Sequence, residues 1–169
     1  IKGKYNQKIK DTLINGDHWA AKHWRALSYN YARAPHFDEL AAIFEPVYLQ
    51  KSHTHLSELN KAFIEKVCAY LDIETTIRDS GEFALIDGKT ERLVDLCEKA
   101  GASHYVTGPT AKNYIEEQIF FERGITTVWF DYSNYPQYPQ LWGEFIHDVT
   151  ILDLLFNCGL DSSKYMRSA

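Results

Sequence analysis

The feature that most constrains this sequence is an alternation of strand-forming and helix-forming segments between residues 73 and 131. Segments rich in β-branched and aromatic residues predict strands over 73–77, 103–107 and 125–130. Between them, apolar residues at helical spacing predict helices over 89–100 and about 113–123. This alternation is typical of a parallel sheet with crossover helices. We therefore predict an α/β fold of the Rossmann-like, three-layer type.

Helical segments are also predicted on both sides of this region. Apolar spacing predicts four of them, over 18–31, 37–44, 56–71 and 141–156. Asp17 is the expected N-cap of the first, Pro46 the expected end of the second, and Thr150 or Asp148 the expected cap within the last. Gly101 and Gly124 fit the left-handed position that follows a helix. Because no repeat or linker interrupts the chain, we expect one domain over residues 1–169.

Charge and hydropathy argue against two classes of binding partner, nucleic acids and membranes. The net charge is −5 and no run of Lys or Arg occurs, whereas proteins that follow a phosphate backbone carry a basic face, so we expect no nucleic acid partner. No apolar run reaches the roughly 18 residues that a membrane span needs, and no signal peptide is visible, so we expect no membrane insertion. The three cysteines are widely spaced in apolar surroundings, which indicates reduced thiols and a cytoplasmic protein.

The seven histidines raise the question of a metal site. His53 and His55 are one residue apart, which would point both rings the same way on an extended segment. However, no third ligand follows at a spacing typical of zinc, and the cysteines are not paired. We therefore expect neither a metal nor another cofactor.

The best candidate site is the end of the second predicted strand, at Thr107, Gly108 and Pro109. Parallel sheets bind ligands beyond the carboxyl ends of their strands. A glycine there lets a ligand approach the backbone, and the amino end of the next helix would offer free N–H groups to an anion. An ordinary strand-to-helix turn would have the same residues, so this alternative stays open.

A second group should lie at the same edge of the predicted sheet. Thr90 is the expected N-cap of the first crossover helix, and Arg92 in its first turn could bind a phosphate. Ser80 lies in the preceding loop and could donate a hydrogen bond to a ligand. The alternative is a capped helix with an Arg on its surface.

Two further observations concern sugar or nucleobase recognition. Tyr132, Tyr135 and Gln137 belong to a loop rich in Tyr, Pro and Gln, and aromatic rings beside an amide suit either ligand, although they equally suit surface packing. Asn60 falls on or beside the apolar stripe of the predicted helix 56–71. A buried Asn needs hydrogen-bond partners, so Asn60 either caps a neighbouring loop or faces a ligand.

Several short motifs in this order resemble the WbqC-like protein family. They are Trp19 with His23, the segments 31–37, 56–60, 89–93 and 105–109, Tyr114, the region 135–137 and the segment 151–159. The resemblance covers nearly the whole chain, from about Lys4 to Gly159, and implies a role in bacterial O-antigen, surface-polysaccharide or modified-sugar synthesis. His23 and Tyr114 join the expected ligand-binding residues on this basis.

The chain departs from the family pattern at its beginning. Full-length members start with a His-Gln-Pro-x-Tyr-x-Pro motif, which is absent here. The resemblance therefore implies a WbqC-like α/β domain without its N-terminal part.

Two functions of different classes remain open at this point. The first is an enzyme that transfers an acyl or aminoacyl group to a nucleotide-linked amino sugar, with the phosphates near Gly108 and the sugar near Tyr132. The second is a non-catalytic protein that binds other members of a polysaccharide-synthesis system. The sequence contains no recognisable set of nucleophile, base and metal ligands, which favours the second. With either function, the protein could also bind a partner protein or form a homo-oligomer.

Overall fold

The computed structural model describes residues 7–16, 18–50 and 52–167 of the chain. These residues separate into two compact units. The first unit consists of the described residues within Ile1–Thr75 and Pro136–Met166, and the second of those within Thr76–Tyr135 and Arg167–Ala169. The expectation of one domain over the whole chain stays a prediction.

Six α-helices and two strands lie in the described part of the chain. In chain order they are α1 (His18–Tyr31), α2 (Phe37–Leu49), α3 (Leu56–Tyr70), α4 (Thr90–Ala100), β1 (His104–Thr107), α5 (Glu117–Glu122), β2 (Thr126–Trp129) and α6 (Ile151–Cys158). Short 3-10 helices cover Ile9–Asp11, Ser80–Glu82, Pro109–Asn113 and Gly159–Tyr165. Each described helix is too short or too polar to cross a membrane.

The predicted three-layer Rossmann-like fold is wrong, because the sheet of the described chain has only two strands. β1 and β2 pair in parallel, with His104 opposite Thr126 and Thr107 opposite Trp129. The predicted parallel pairing of these two segments is therefore confirmed, but two strands cannot form the central layer of a three-layer sandwich.

The missing strand is the one expected over residues 73–77. This stretch has no regular structure, and four of its five residues are exposed. The preference of β-branched residues for strands reflects packing on a half-buried surface, so it has no effect where no face is buried. The N–H of Ile73 instead donates to the carbonyl of Cys68 at 2.8 Å, which closes the turn after α3.

The predicted helices are confirmed where the apolar spacing is regular. The bounds of α1 and α3 agree with prediction, and Gly101 and Gly124 both adopt φ of +70°. Thr150 caps α6 by accepting a hydrogen bond from the N–H of Leu152. The expected cap Asp17 lies outside the described residues.

Two helix boundaries of the first unit differ from prediction. α2 continues through Pro46 to Leu49, which buries Val47 on the same side of the helix as Leu40 and Phe44. This burial offsets the roughly 3 kcal/mol that a proline costs inside a helix. At the other end of the chain, residues 141–149 form bends rather than a helix, and α6 begins only at Ile151.

Each unit has its own hydrophobic core. In the first unit, α2 and α6 contribute four side chains with no exposed surface: Leu40, Phe44, Leu155 and Phe156. In the second unit, Val94 of α4, Phe120 of α5 and Ile125 pack together, and Phe120 stacks on Tyr105 of β1 with 4.8 Å between ring centroids. The second core holds the two strands in place and thereby positions their carboxyl ends.

Candidate functional site

The carboxyl ends of β1 and β2 form a rim in the second unit. We call this the strand-end rim and define it by Thr107, Gly108, Trp129 and Tyr132. Thr107 lies opposite Trp129, and its carbonyl accepts a hydrogen bond from the N–H of Phe130 at 2.8 Å. Phe130 in turn contacts Tyr132, with 5.1 Å between ring centroids. Aromatic rings therefore follow the end of β2 directly.

Two of the predicted residues, Gly108 and Tyr132, are in contact, and the phenol ring of Tyr132 lies against the glycine. A Cβ atom at Gly108 would be 3.1 Å from the Tyr132 hydroxyl oxygen and 3.2 Å from its Cε2. The glycine was expected to leave room for a ligand. Here that room is taken by the Tyr132 ring, which becomes the group that a ligand at this rim would meet.

The segment after Gly108 differs from the predicted helix. Pro109–Asn113 forms a 3-10 helix, and α5 starts only at Glu117, so the expected helix amino end beside Gly108 is absent from this described segment. The 3-10 helix instead places Lys112 over the ring of Trp129, with 5.1 Å from Nζ to the ring centroid. A cation is thus held at the strand-end rim by its interaction with an aromatic face.

Thr90 has a structural role rather than the predicted capping role. It is the first residue of α4, after the N-cap residue Lys89, and it is 2% exposed. Its hydroxyl oxygen accepts a hydrogen bond from the N–H of Glu116 at 3.2 Å. This bond joins the amino end of α4 to the segment that leads from Gly108 into α5.

The other predicted residues of the second unit are mostly at its surface. Arg92, Ser80 and Tyr114 are exposed, and Tyr135 is half-buried beneath the guanidinium of Arg167, at 5.6 Å from the ring centroid. Neither this arrangement nor the sequence identifies a ligand for them, so their binding roles stay predictions.

A carboxylate also follows β2. Asp131 accepts hydrogen bonds from the hydroxyl and the main-chain N–H of Ser133, both at 2.9 Å. These two bonds lower the pKa of Asp131 below its ordinary value. The carboxylate is therefore ionised at neutral pH and can accept hydrogen bonds from hydroxyl or ammonium groups.

Three predicted residues, His23, Asn60 and Gln137, belong to the first unit and are all exposed. Asn60 lies beside the apolar stripe of α3 rather than on it, because the buried residue is its neighbour Leu59, and its binding role stays a prediction. His23 packs edge-on against Trp19, with 5.5 Å between ring centroids.

The first unit contains a cavity of about 350 Å³ that sequence reasoning did not locate. We call it the Trp19 cavity. Its aromatic and polar walls come from Trp19, Tyr48, Ser52, His53 and Thr54, and aliphatic residues such as Leu59 complete it.

The walls of the Trp19 cavity come from three helices and from two extended segments that pair with each other, at residues 13–14 and 52–55. α1, α2 and α3 contribute Trp19, Tyr48 and Leu59. Leu13 and His55 form an antiparallel bridge, and the N–H of Ile14 donates to the carbonyl of Thr54 at 2.9 Å. Main-chain pairing therefore fixes the polar wall at Thr54.

Sequence reasoning also missed a buried carboxylate. Asp153 in α6 is 6% exposed and accepts hydrogen bonds from the hydroxyls of Tyr31 and Tyr138 and from the amide of Gln140. Burial, followed by the bond to Asp153, raises the pKa of both tyrosines well above the ordinary value. A signal was present, since a lone acid in the apolar run 151–156 must find partners when buried.

The described residues allow possible metal ligands and two of the three cysteines to be assessed. In residues 7–16, 18–50 and 52–167, no three His, Cys, Asp or Glu side chains form a group that could hold a metal ion. Burial raises the pKa of Cys97 and is the main cause of the raised pKa of Cys158, to which Asp153 also contributes. Both thiols are therefore poor nucleophiles at neutral pH.

Comparison with known proteins places the chain in a family. Residues 1–165 match the WbqC-like protein family. The chain is similar to Uncharacterized protein Rv1507c of Mycobacterium tuberculosis, with 49% identity over 167 residues, which is 99% of this chain and 72% of the relative. No solved structure matches it. The resemblance of the sequence motifs is confirmed, and the chain belongs to the WbqC-like protein family.

Proposed function

We propose that this protein is an enzyme of bacterial surface-polysaccharide or modified-sugar biosynthesis, and that it transfers an acyl or aminoacyl group to a nucleotide-linked amino sugar. Family membership suggests the polysaccharide setting. The observation that supports a ligand of this kind is the position of Lys112 on Trp129, beside the paired ends of two parallel strands. A cation and an aromatic face at the carboxyl ends of strands suit a nucleotide.

The strand-end rim offers a complementary group for each part of such a ligand. The Lys112 ammonium would attract the diphosphate, and the exposed ring of Tyr132 would stack on the base or the sugar. The ionised carboxylate of Asp131 would accept hydrogen bonds from sugar hydroxyls or from the amine. In the transfer, the amine nitrogen forms a bond to the acyl carbon, the bond from that carbon to the donor's leaving group breaks, and the amine proton passes to the departing group.

Binding is tested by thermal unfolding with UDP-, GDP- and dTDP-linked amino sugars. A ligand that binds only the folded state at 100 times its dissociation constant stabilises that state by about 2.7 kcal/mol, so the melting temperature should rise with one of them. Lys112→Gln should weaken binding roughly tenfold, because it removes the charge nearest the proposed diphosphate. Arg92→Ala should weaken it as well if the amino end of α4 contributes.

A matched control is available in the first unit. Lys164 is also an exposed lysine of a 3-10 helix, where it pairs with Asp161 at 2.7 Å, so Lys164→Gln should leave binding unchanged. If the whole panel produces no shift, or if both lysine variants lose binding equally, the proposal is wrong. Transfer is tested separately, by mass spectrometry of the amino sugar after incubation with acyl thioesters.

A non-catalytic binding protein is the second candidate, and one observation favours it. In the second unit, Phe121 of α5 is 76% exposed, and β1 and β2 pair only with each other in the described chain. Unpaired strand edges and an exposed aromatic ring are features of protein-binding surfaces. A stable complex recovered from cells and lost on Phe121→Ser, without any effect of nucleotide sugars, would favour this function.

A further inference from the structure

We propose that the Trp19 cavity is a binding site for a single neutral pyranose. The proposal concerns only the first unit and does not depend on whether the strand-end rim binds a nucleotide. Its basis is the chemistry of the walls, their rigidity and the size of the cavity.

One part of the cavity is aromatic. Trp19 and Tyr48 both line it, and their ring centroids are 6.1 Å apart with 57° between the ring planes. The C–H groups on one face of a pyranose carry a small positive charge, and they pack well against the negative face of an aromatic ring. Two rings at an angle can contact the face of one sugar and an edge of it.

The polar part is formed by three consecutive side chains, Ser52, His53 and Thr54. Two hydroxyls and an imidazole provide both donors and acceptors, as the hydroxyl groups of a sugar require. Thr54 is already positioned, since its hydroxyl lies 3.0 Å from Nδ1 of His55. Among the described residues that line the cavity, none carries a carboxylate, an amine or a guanidinium, which favours a neutral ligand over a charged one.

The aromatic wall is held in place before any ligand binds. Tyr48 contacts Phe63 at 4.8 Å and Trp24 at 5.8 Å between ring centroids, and burial raises the pKa of its hydroxyl. The indole N–H of Trp24 in turn donates to Glu45 at 2.8 Å. A wall fixed in this way loses little conformational freedom on binding, and this favours affinity.

The volume limits the ligand to about one ring. Ligand pockets range from about 300 to 1,000 Å³, and 350 Å³ lies at the small end of that range. An oligosaccharide would extend well outside the cavity. The cavity therefore suits a monosaccharide or one terminal residue of a glycan.

The test is a titration of the full chain with D-glucose, D-galactose, L-fucose and N-acetyl-D-glucosamine. Binding is monitored by two-dimensional NMR and by tryptophan fluorescence. We expect saturable shifts confined to residues around the cavity for at least one sugar, with a dissociation constant on the order of 1 mM. Trp19→Ala and Thr54→Val should each weaken binding by about tenfold. Thr54→Val keeps the shape of its side chain and so remains informative if Trp19→Ala fails to fold.

Trp142 provides the matched control. It belongs to the same unit and is 52% exposed, with its indole N–H donating to the carbonyl of Asn30 at 3.0 Å and the Arg33 guanidinium over its ring. Trp142→Ala should bind the sugar as the wild type does.

Three outcomes would overturn the proposal. They are an absence of saturable shifts for every sugar, an equal loss of binding in Trp142→Ala, and displacement of the sugar by free uridine, which would identify a nucleobase site instead. Conversely, if the protein binds a pyranose but none of the nucleotide sugars, this inference holds and the proposed enzyme function is wrong.

Discussion

Replacing Asp153 by Ala should destabilise the first unit severely. The carboxylate accepts three hydrogen bonds, from Tyr31 at 2.8 Å, from Tyr138 at 2.7 Å and from Gln140 at 2.9 Å. Gln140 keeps a second acceptor after the change, because its amide also donates to the carbonyl of Ile146 at 3.0 Å. The two tyrosine hydroxyls would therefore carry most of the cost.

The magnitude follows from these two hydroxyls. A hydrogen bond to a charged group contributes about 1.5–3 kcal/mol, and a buried donor left without a partner costs about 1–3 kcal/mol. Both tyrosines are only half-buried, so water will relieve part of the penalty. We expect Asp153→Ala to lower the free energy of unfolding by about 3–5 kcal/mol, as is typical when one partner of a buried network is removed.

The assay is urea unfolding followed by circular dichroism, with the same denaturant slope for all variants as the condition for comparing them. The control is Asp161→Ala, which removes an exposed carboxylate that pairs with Lys164, and it should cost less than about 1 kcal/mol.

A rescue experiment separates unpartnered hydroxyls from a simple loss of packing. Adding Tyr31→Phe and Tyr138→Phe to Asp153→Ala removes the donors left without a partner, so it should recover part of the lost stability. If Asp153→Ala costs less than about 1 kcal/mol, or if the triple variant is less stable than the single one, the network does not stabilise the fold as argued.

Two further predictions concern stability. The folded state raises the pKa of Tyr31 and Tyr138, so above pH 10 it keeps their protons while the unfolded chain loses them. The contribution of these two tyrosines to stability should therefore be constant below pH 10, and stability should fall as the pH rises above it. Urea titrations across this range should show the fall, and it should be smaller in the double Tyr→Phe variant. Phe120→Ala should cost about 3–5 kcal/mol, because its ring has no exposed surface, whereas Phe121→Ala, one residue along the same helix and 76% exposed, should cost less than about 0.5 kcal/mol. Equal costs for the two phenylalanine variants would contradict the assignment of the second core.

Local patterns predicted the helices well and the sheet poorly. Helical spacing and the glycines at 101 and 124 depend on residues within one or two turns, so the sequence contains the necessary information. The strand expected at residues 73–77 was assigned on composition alone, although a strand needs a neighbour and a buried face. Similarly, Pro46 was expected to end α2, but tertiary burial of the next turn outweighed the local preference.

The candidate sites were only partly predictable for the same physical reason. Gly108 and Tyr132 were both expected to bind a ligand, but their contact could not be inferred from residues 24 positions apart. Asp153 and Tyr31 are separated by 122 positions, and the Trp19 cavity depends on the bridge between Leu13 and His55. Such pairs form only when the chain folds back on itself, and no local pattern specifies them.

The first unit is built from two stretches of chain with Thr76–Tyr135 of the second unit between them, and this has a consequence for synthesis on the ribosome. α1, α2 and α3 emerge early, but Leu155 and Phe156, which complete their core, emerge only after Thr76–Tyr135 of the second unit. The apolar faces of these helices therefore stay open to water, or to a chaperone, while residues 71–154 are added to the nascent chain. A ribosome that pauses within this interval would leave Leu40 and Phe44 exposed, although both are fully buried in the finished fold.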